Sequence, residues 1–192
     1  MSPTEVTDSV KQKNWSVAKP GVVGPDAGPA LLPLLDSKDS QVRQLTVVCL
    51  DLAGSPAARP GLLKELRDPT ETVRAEAARL LRKHYDASDL PAIINELNAS
   101  RDEYVREQLA LLLGEAGDAS KIGVLFTRMQ SEPDEHARHA DSLAMARLGD
   151  AASRNQLIQH LTSEPAAGRV AALRDYSAEE LNEVRAVLSS IA

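Results

Sequence analysis

The stretch Asp68–Gly117 reads DPTETVRAEAARLLRKHYDASDLPAIINELNASRDEYVREQLALLLGEAG, and within it a unit begins to repeat. Val73-Arg74 opens one amphipathic run, and Val105-Arg106 opens the next run 32 residues later. The same pair stands at Val42-Arg43, 31 residues before Val73, and a weaker copy, Ala137-Arg138, follows Val105 by 32 residues. A period of this length is typical of solenoid proteins, in which similar units stack on their neighbours.

Each unit has two halves with helical spacing. In the leading half, two apolar residues four positions apart lie on one helix face. These pairs are Leu31 and Leu35, Leu62 and Leu66, Ile93 and Leu97, Leu125 and Met129, and Leu157 and Leu161. In the trailing half, positions 0, 5 and 8 counted from the first residue of the Val-Arg pair mark one helical face.

Turns rich in Asp, Pro and Ser separate the halves, so each unit is predicted to be helix, turn, helix. The predicted helices lie near 28–35 and 40–53, 56–67 and 71–84, 88–99 and 102–115, 119–131 and 135–148, and 151–162 with a short partner at 166–175.

The pattern Asp-Pro-x-x-x-Val-Arg, an Ala- and Leu-rich helix, and Gly-Asp before the next helix resembles the short HEAT-like repeats of the phycobilisome-lyase type. Its best copies are 105–118 and 137–150, and the resemblance covers residues 28–175. It implies an all-α fold, a right-handed α-α superhelix of about five helical pairs with armadillo-like character. We therefore expect an N-terminal arm at 1–27, repeats at 28–175 and a capping helix at 176–192.

The two ends of the chain differ from the repeats. A short helix after Thr4 is predicted in the N-terminal arm from Val6, Val10, Trp15 and Val17. Trp15 is expected to anchor that arm on the first repeat, with ligand binding as its alternative role. At the other end, Ser177–Glu180 is a capping box that opens the last helix. The apolar stripe in 181–191 predicts a cap on the stack, or alternatively a dimer seam with heptad spacing.

Composition narrows the functional classes. The 192-residue chain carries a net charge of −6 and only 3% aromatic residues, which argues against general binding to nucleic acid or to an anionic membrane. It contains no apolar run long enough to cross a membrane and no signal sequence, so a cytoplasmic location is expected. Its single cysteine, Cys49, excludes an intrachain disulfide and is expected to be a small half-buried hydrophobe; a redox role is the alternative.

Four arginines recur at the same repeat position: Arg43, Arg74, Arg106 and Arg138. They could be drawn as a phosphate-binding ladder. The resemblance to HEAT-like repeats implies instead a structural ladder, in which each arginine bonds to carboxylates and carbonyls of a turn or a neighbouring repeat. The carboxylates expected within reach are Asp36, Asp68 and Asp134.

Two histidines, His136 and His139, fall three residues apart on one predicted helix. Such spacing can chelate a metal, but two ligands leave a site incomplete, so we predict neither a metal nor a cofactor. Nucleotide-binding glycine loops and the Gly-x-Ser-x-Gly motif are also absent from the sequence.

These observations predict a non-catalytic scaffold that binds a peptide or helix of another protein on its concave face. The chain is expected to be a monomer. Positions 2, 6 and 10 after each Val-Arg valine are predicted to face the groove, with Leu111 and Leu143 as exposed apolar anchors. The predicted partner-binding residues are Val48, Arg79, Lys83, Glu107, Leu111, His139, Leu143 and Arg147.

Two alternatives stay open. Adjacent turns of the superhelix, or the N-terminal arm, would cover the apolar row if it is not a binding surface. The resemblance also implies a second functional class, a chromophore-lyase-like enzyme or chaperone of the phycobilisome-lyase type, although no lyase-specific residue is present in the sequence.

Overall fold

The computed structural model describes residues 1–55, 58–163 and 178–189, and every regular element in these ranges is helical. The chain divides into two units, Met1–Asp89 and Leu90–Ala192. The first unit contains α1 (Pro3–Lys11), α2 (Gly28–Leu31), α3 (Ser40–Ala53), α4 (Ala58–Glu65) and α5 (Glu71–His84). The second contains α6 (Leu90–Ala99), α7 (Glu103–Glu115), α8 (Ile122–Met129), α9 (Glu135–Leu148), α10 (Ala151–Ser163) and α11 (Ala178–Ser189). None of these helices is long and apolar enough to span a membrane.

Short 3-10 segments precede or extend several helices, at Trp15–Val17, Pro25–Ala27, Leu32–Asp36, Ala87–Asp89 and Ala119–Lys121. Within each helix–turn–helix repeat, the leading helix packs against the trailing helix that follows it, as in the pairs α4 with α5, α6 with α7, and α8 with α9. The result is an all-α fold of repeated helix–turn–helix units, which confirms the predicted fold class.

The trailing helices α3, α5 and α9 have the bounds predicted from the sequence, 40–53, 71–84 and 135–148. Helices α3 and α9 begin directly after an aspartate. The carboxylates of Asp39 and Asp134 cap them by accepting hydrogen bonds from the backbone N–H groups of Gln41 and Ala137. Gly149 ends α9 at φ +103°, a left-handed conformation that favours glycine.

Positions 0, 5 and 8 of the trailing helices form the core, as predicted. Valine, alanine, leucine and methionine side chains at these positions are no more than 5% exposed in all four copies. Ser142, at position 5 of α9, is the exception because it is half-buried. The predicted partner helix at 166–175 and the first residue of the capping box, Ser177, lie outside the described residues.

The N-terminal arm covers the first repeat. Ser2 and Glu5 form a capping box at the start of α1, and α1 packs against α2 and α3. Val6 and Val10 are fully buried there. Trp15 is 44% exposed, so the prediction that it anchors the arm is wrong. Apolar packing of α1 holds the arm in place, and an indole anchor is not required.

In the second unit, α9 packs against four helices, α7, α8, α10 and α11. The approach of α7 to α9 is close at Gly114, where an added Cβ would lie 2.8 Å from the Cα of Ala144. The C-terminal helix α11 turns Val184 and Val187 inward, while Leu181 and Leu188 are about two-fifths exposed, at 37% and 40%. Helix α11 thus covers part of α9 with its apolar side and acts as a cap.

Candidate functional site

The predicted anchors Leu111 and Leu143 are 1% and 3% exposed, so the prediction of an exposed apolar row is wrong at these positions. Every residue of α7 from Glu107 to Gly114 is buried, and a helix enclosed on all sides offers no open groove. Leu143 lies on α9, which is surrounded by four helices. Helical periodicity identifies the face that meets the partner helix, but it does not show which other helices cover the remaining faces.

The other predicted partner-binding residues differ in surroundings. In the first unit, Val48 is half-buried, Arg79 is half-buried and donates to Glu76 at 2.6 Å, and Lys83 is exposed and donates to Asp51 at 3.3 Å. In the second unit, Glu107 is 6% exposed, while His139 and Arg147 are half-buried on α9. Of the predicted set, the structure brings His139 and Leu143 together at one pocket.

The four repeated arginines share one contact. In each, Nη1 donates to the backbone carbonyl six residues earlier, in the turn that precedes the arginine's own helix. The acceptors are Ser37 O at 2.7 Å for Arg43, Asp68 O at 2.9 Å for Arg74, Ser100 O at 3.2 Å for Arg106 and Glu132 O at 2.7 Å for Arg138. The contact ties a turn to the first turn of the helix that follows it.

Two of these arginines also bond to the next repeat. Arg43 donates to both carboxylate oxygens of Asp68, at 2.5 and 2.8 Å, and Arg106 donates to both oxygens of Glu132, at 2.8 and 2.7 Å. Such bidentate pairs fix geometry as well as charge. The expected acceptors Asp36 and Asp134 have other roles, since Asp36 bonds to Lys64 and Asp134 caps α9.

A buried acid pair adjoins the Arg43 contact. Burial, together with a hydrogen bond to Asp68, raises the pKa of Glu65 to about 7. Burial also opposes ionisation of Asp68, but hydrogen bonds from Arg43, from Glu65 and from the Thr70 N–H hold its pKa below the usual value. Glu65 in its neutral form therefore donates a hydrogen bond to the Asp68 carboxylate, which stays ionised and pairs with Arg43.

In the second unit the equivalent contact, between Arg106 and Glu132, belongs to a buried ionic cluster. Arg128 donates to Glu132 and to both oxygens of Asp141, which is fully buried. Burial opposes ionisation of Glu132, yet hydrogen bonds from Arg106 and the Asp134 N–H and the nearby arginine charges lower its pKa to about 2. Burial raises the pKa of Asp141 to about 7 although Arg128 favours its charged form. The cluster joins α7, α8 and α9.

The pocket that contains His139 and Leu143 lies between α8, α9 and α10 and has a volume of about 310 Å³. We call it the α8–α10 pocket. Its floor is apolar and its rim is polar. It is lined by Met129, Arg138, His139, Ser142, Leu143, Gln156 and Leu157. Leu143 is therefore closed to bulk solvent on most sides but forms part of the pocket wall.

The α8–α10 pocket has a positive rim. None of the described residues that line it is acidic, and Arg138 is one of its lining residues. Nη1 of Arg138 is held by the carbonyls of Glu132 and Pro133, at 2.7 and 2.8 Å. The other nitrogens of this guanidinium make no hydrogen bond to a described residue.

A larger cleft of about 1100 Å³ lies between α6 and α8 and the turns that follow them. Its wall includes Glu132, which accepts hydrogen bonds from both Arg106 and Arg128. Acidic and basic residues are present in equal number along its wall. The cleft therefore has no net charge that would select a ligand.

Groups that could support chemistry are placed unfavourably for it. Cys49 is fully buried and burial raises the pKa of its thiol to about 12, so the reactive thiolate is scarce at neutral pH. His136 is exposed and His139 lines the α8–α10 pocket. Among the described residues, no three His, Cys, Asp or Glu side chains converge as a metal site.

Sequence reasoning missed the buried cluster and part of the pocket. A signal for the cluster was present at Asp141, because position 4 of the other trailing helices carries Thr46, Ala77 and Leu109, all fully buried. A carboxylate at that position indicates a buried charge that needs a partner. Gln156 had no comparable signal, since its place on the pocket rim follows from how α10 meets α9.

Comparisons with known proteins agree with this architecture. The family described as HEAT repeats matches residues 28–95 and 90–177 of the chain. No curated protein matches its sequence. A solved structure, the complex of CpcE and CpcF of phycocyanin lyase from Nostoc sp. PCC7120, contains a chain with the same fold at a TM-score of 0.66 and 21% identity, covering 90% of this chain and 75% of that one. The two family matches span most of the sequence, and the chain belongs to the HEAT-repeat family.

Proposed function

We propose that this HEAT-repeat chain binds another protein, without covalent chemistry, and that the α8–α10 pocket receives part of that partner. The observation that carries the proposal is the pocket itself, with its apolar floor of Met129, Leu143 and Leu157 below a polar rim. Ligand pockets usually run from about 300 to 1,000 Å³, so a volume at the low end suits one inserted side chain better than a whole cofactor.

The fold supports this class of function. HEAT repeats present extended surfaces on which other proteins are recognised, because each repeat contacts only its neighbours and leaves its outer faces open. The similar solved structure is a complex of two protein chains. We infer that this chain also works with a protein partner, whose identity is defined by the pocket it must fill.

Photo-crosslinking from the pocket rim tests the proposal. Gln156 is exposed and lines the pocket, whereas Asn155 is exposed on the same helix and does not. With a compact diazirine amino acid at position 156, no bulkier than the glutamine that it replaces, we expect a specific crosslinked protein from the native host, and at position 155 we expect none. The identified protein would then be purified and its affinity for this chain measured by calorimetry.

A pocket-blocking variant completes that experiment. Gln156→Trp should reduce affinity for the identified protein at least about tenfold, because the indole fills space that the partner needs. Asn155→Trp is the matched control and should bind like the wild-type chain. Equal affinity of the two variants would mean that the partner binds elsewhere, and the assignment of the pocket would fall.

The fold likeness to a chain of the phycocyanin lyase complex favours a second candidate, a chromophore-lyase-like enzyme or chaperone. The phycobilisome-lyase type handles an open-chain tetrapyrrole, so a chain with this activity would take up phycocyanobilin and shift its visible absorbance. A protein-binding scaffold would leave the spectrum unchanged. Titration of the purified chain with phycocyanobilin therefore separates the two candidates.

A further inference from the structure

We infer that the α8–α10 pocket selects an acidic–apolar segment, in which a large apolar side chain enters the pocket and a neighbouring carboxylate meets Arg138. This inference rests on the proposed function and names the chemistry of the partner. It follows from the shape of the floor, from the charge of the rim and from the way in which Arg138 is held.

The floor accounts for the apolar part of the segment. Leu143 and Leu157 are 3% and 6% exposed, and Met129 is half-buried beside them. An apolar side chain that enters between these three would exchange water for aliphatic contacts on several sides. Methionine adapts its shape to different guests, so the pocket can accept leucine, methionine or phenylalanine without a fixed outline.

The rim accounts for the carboxylate. Arg138 lines the pocket, and none of the other described lining residues is acidic. A guanidinium presents donors in a planar fork that fits a carboxylate, and among the described residues only Nη1 of Arg138 has hydrogen-bond acceptors. The net charge of the whole chain is −6, so the positive charge of Arg138 is a local feature of the pocket. A partner with a carboxylate would be attracted by this charge, whereas a neutral or basic partner would not.

Arg138 is also held in place before any partner arrives. Its two hydrogen bonds to the carbonyls of Glu132 and Pro133 fix the guanidinium against the turn that precedes α9. A fixed side chain loses less conformational entropy when it binds than a mobile one does. The same arginine thus serves the turn with one nitrogen and the pocket with the others.

Three small probes that share a phenyl group test the inference directly: 4-phenylbutyrate, 4-phenylbutanol and 4-phenylbutylammonium. Each would be titrated into the full chain carrying ¹³C-labelled methyl groups, with the signals of Met129, Leu143 and Leu157 as reporters. We expect the carboxylate to bind about threefold more tightly than the alcohol, since a partly exposed ion pair contributes modestly. The ammonium should bind most weakly.

A change of rim charge should remove that order. Gln156→Glu puts a carboxylate at an exposed rim position and leaves Arg138, which also holds the turn, untouched. We expect it to weaken binding of 4-phenylbutyrate and to strengthen binding of 4-phenylbutylammonium, each about threefold. Asn155→Glu adds the same charge outside the pocket lining and should change neither affinity appreciably.

The other outcomes are equally informative. Equal binding of the three probes would overturn the selection of an acidic segment while leaving the pocket as a site for apolar side chains. The absence of any shift in the three methyl reporters would also overturn the inference. The proposed function has its own separate test, because a crosslinked partner that is lost in Gln156→Trp would still establish the pocket as a protein-binding site.

Discussion

Arg106 shows how a charged side chain becomes part of the framework in this chain. Its side chain is 12% exposed and that of Glu132 is 2% exposed, and two hydrogen bonds of 2.8 and 2.7 Å join them. Removing one partner of such a pair leaves the other buried with a charge that was previously neutralised. Glu132 also accepts from Arg128, so loss of Arg106 would disturb the whole buried cluster.

We therefore expect Arg106→Ala to lower the free energy of unfolding by about 3 kcal/mol, the cost that is typical of breaking a buried ion pair. Arg106→Lys should recover only part of that loss, because lysine lacks the fork that bonds two oxygens at once. Urea denaturation followed by circular dichroism measures both variants. Arg101→Ala, at an exposed position in the turn before the same helix, is the control and should unfold like the wild-type chain.

At the scale of helices, the contact between α7 and α9 depends on the absence of a side chain at Gly114. An added Cβ would lie 2.8 Å from the Cα of Ala144 and 3.0 Å from its Cβ. Both atoms belong to a well-packed helix and cannot move aside as the end of a flexible side chain could. Two small residues facing each other thus let these helices approach closely.

Gly114→Ala should therefore destabilise the chain by about 1–3 kcal/mol through overpacking, even though alanine favours helices more than glycine does. Gly123→Ala is a matched control in α8, where an added Cβ meets nothing within 4 Å. That variant should gain up to about 1 kcal/mol from helix propensity alone. Thermal melts of the two variants should shift in opposite directions, and a shift of the same sign would contradict the close approach.

Helix bounds could be predicted from the sequence because the information is local. The carboxylates of Asp39 and Asp134 accept backbone hydrogen bonds two and three residues ahead, and these contacts involve no other part of the fold. Leu111 was assigned to the wrong environment for the opposite reason. Its burial depends on the helices that pack around α7, and their positions cannot be predicted from the sequence of α7 alone.

The candidate site was predictable only in part. His139 and Leu143 lie four residues apart on one helix, so their shared face follows from helical geometry. Gln156 and Leu157 reach the same pocket from α10, and Arg128 reaches Asp141 from α8. Contacts between helices of this kind depend on crossing angles and separations, which the repeat period does not determine.

At the scale of the whole molecule, the N-terminal arm performs the task of a terminal cap. The end unit of a repeat array lacks a neighbour on one side and would otherwise present apolar surface to water. Here α1 packs against α2 and α3 and buries Val6 and Val10 completely. A salt bridge of 2.9 Å between Lys13 and Asp39 adds a polar contact at the edge.

We expect the double substitution Val6→Asp with Val10→Asp to detach this cap. Two buried charges without partners should lower the free energy of unfolding by at least about 3 kcal/mol. The exposed end of the array should also promote self-association, visible as a concentration-dependent mass in light scattering. Thr4→Asp is the control, because Thr4 is exposed on the same helix and its substitution should leave stability and mass unchanged. A monomeric, equally stable double variant would show that the arm does not cap the array.

The arginine contact with the carbonyl six residues earlier also restricts where the chain can gain or lose residues. In all four copies the distance along the sequence from acceptor to arginine is six residues, so an insertion in that turn would pull the carbonyl out of reach. The carboxylate bridges are less strict, since Arg43 and Asp68 are 25 residues apart and Arg106 and Glu132 are 26 apart. The number of residues between an arginine and the next turn can therefore vary, whereas the number of residues within the turn cannot. For repeat engineering, the turns before α3, α5, α7 and α9 must therefore keep their length.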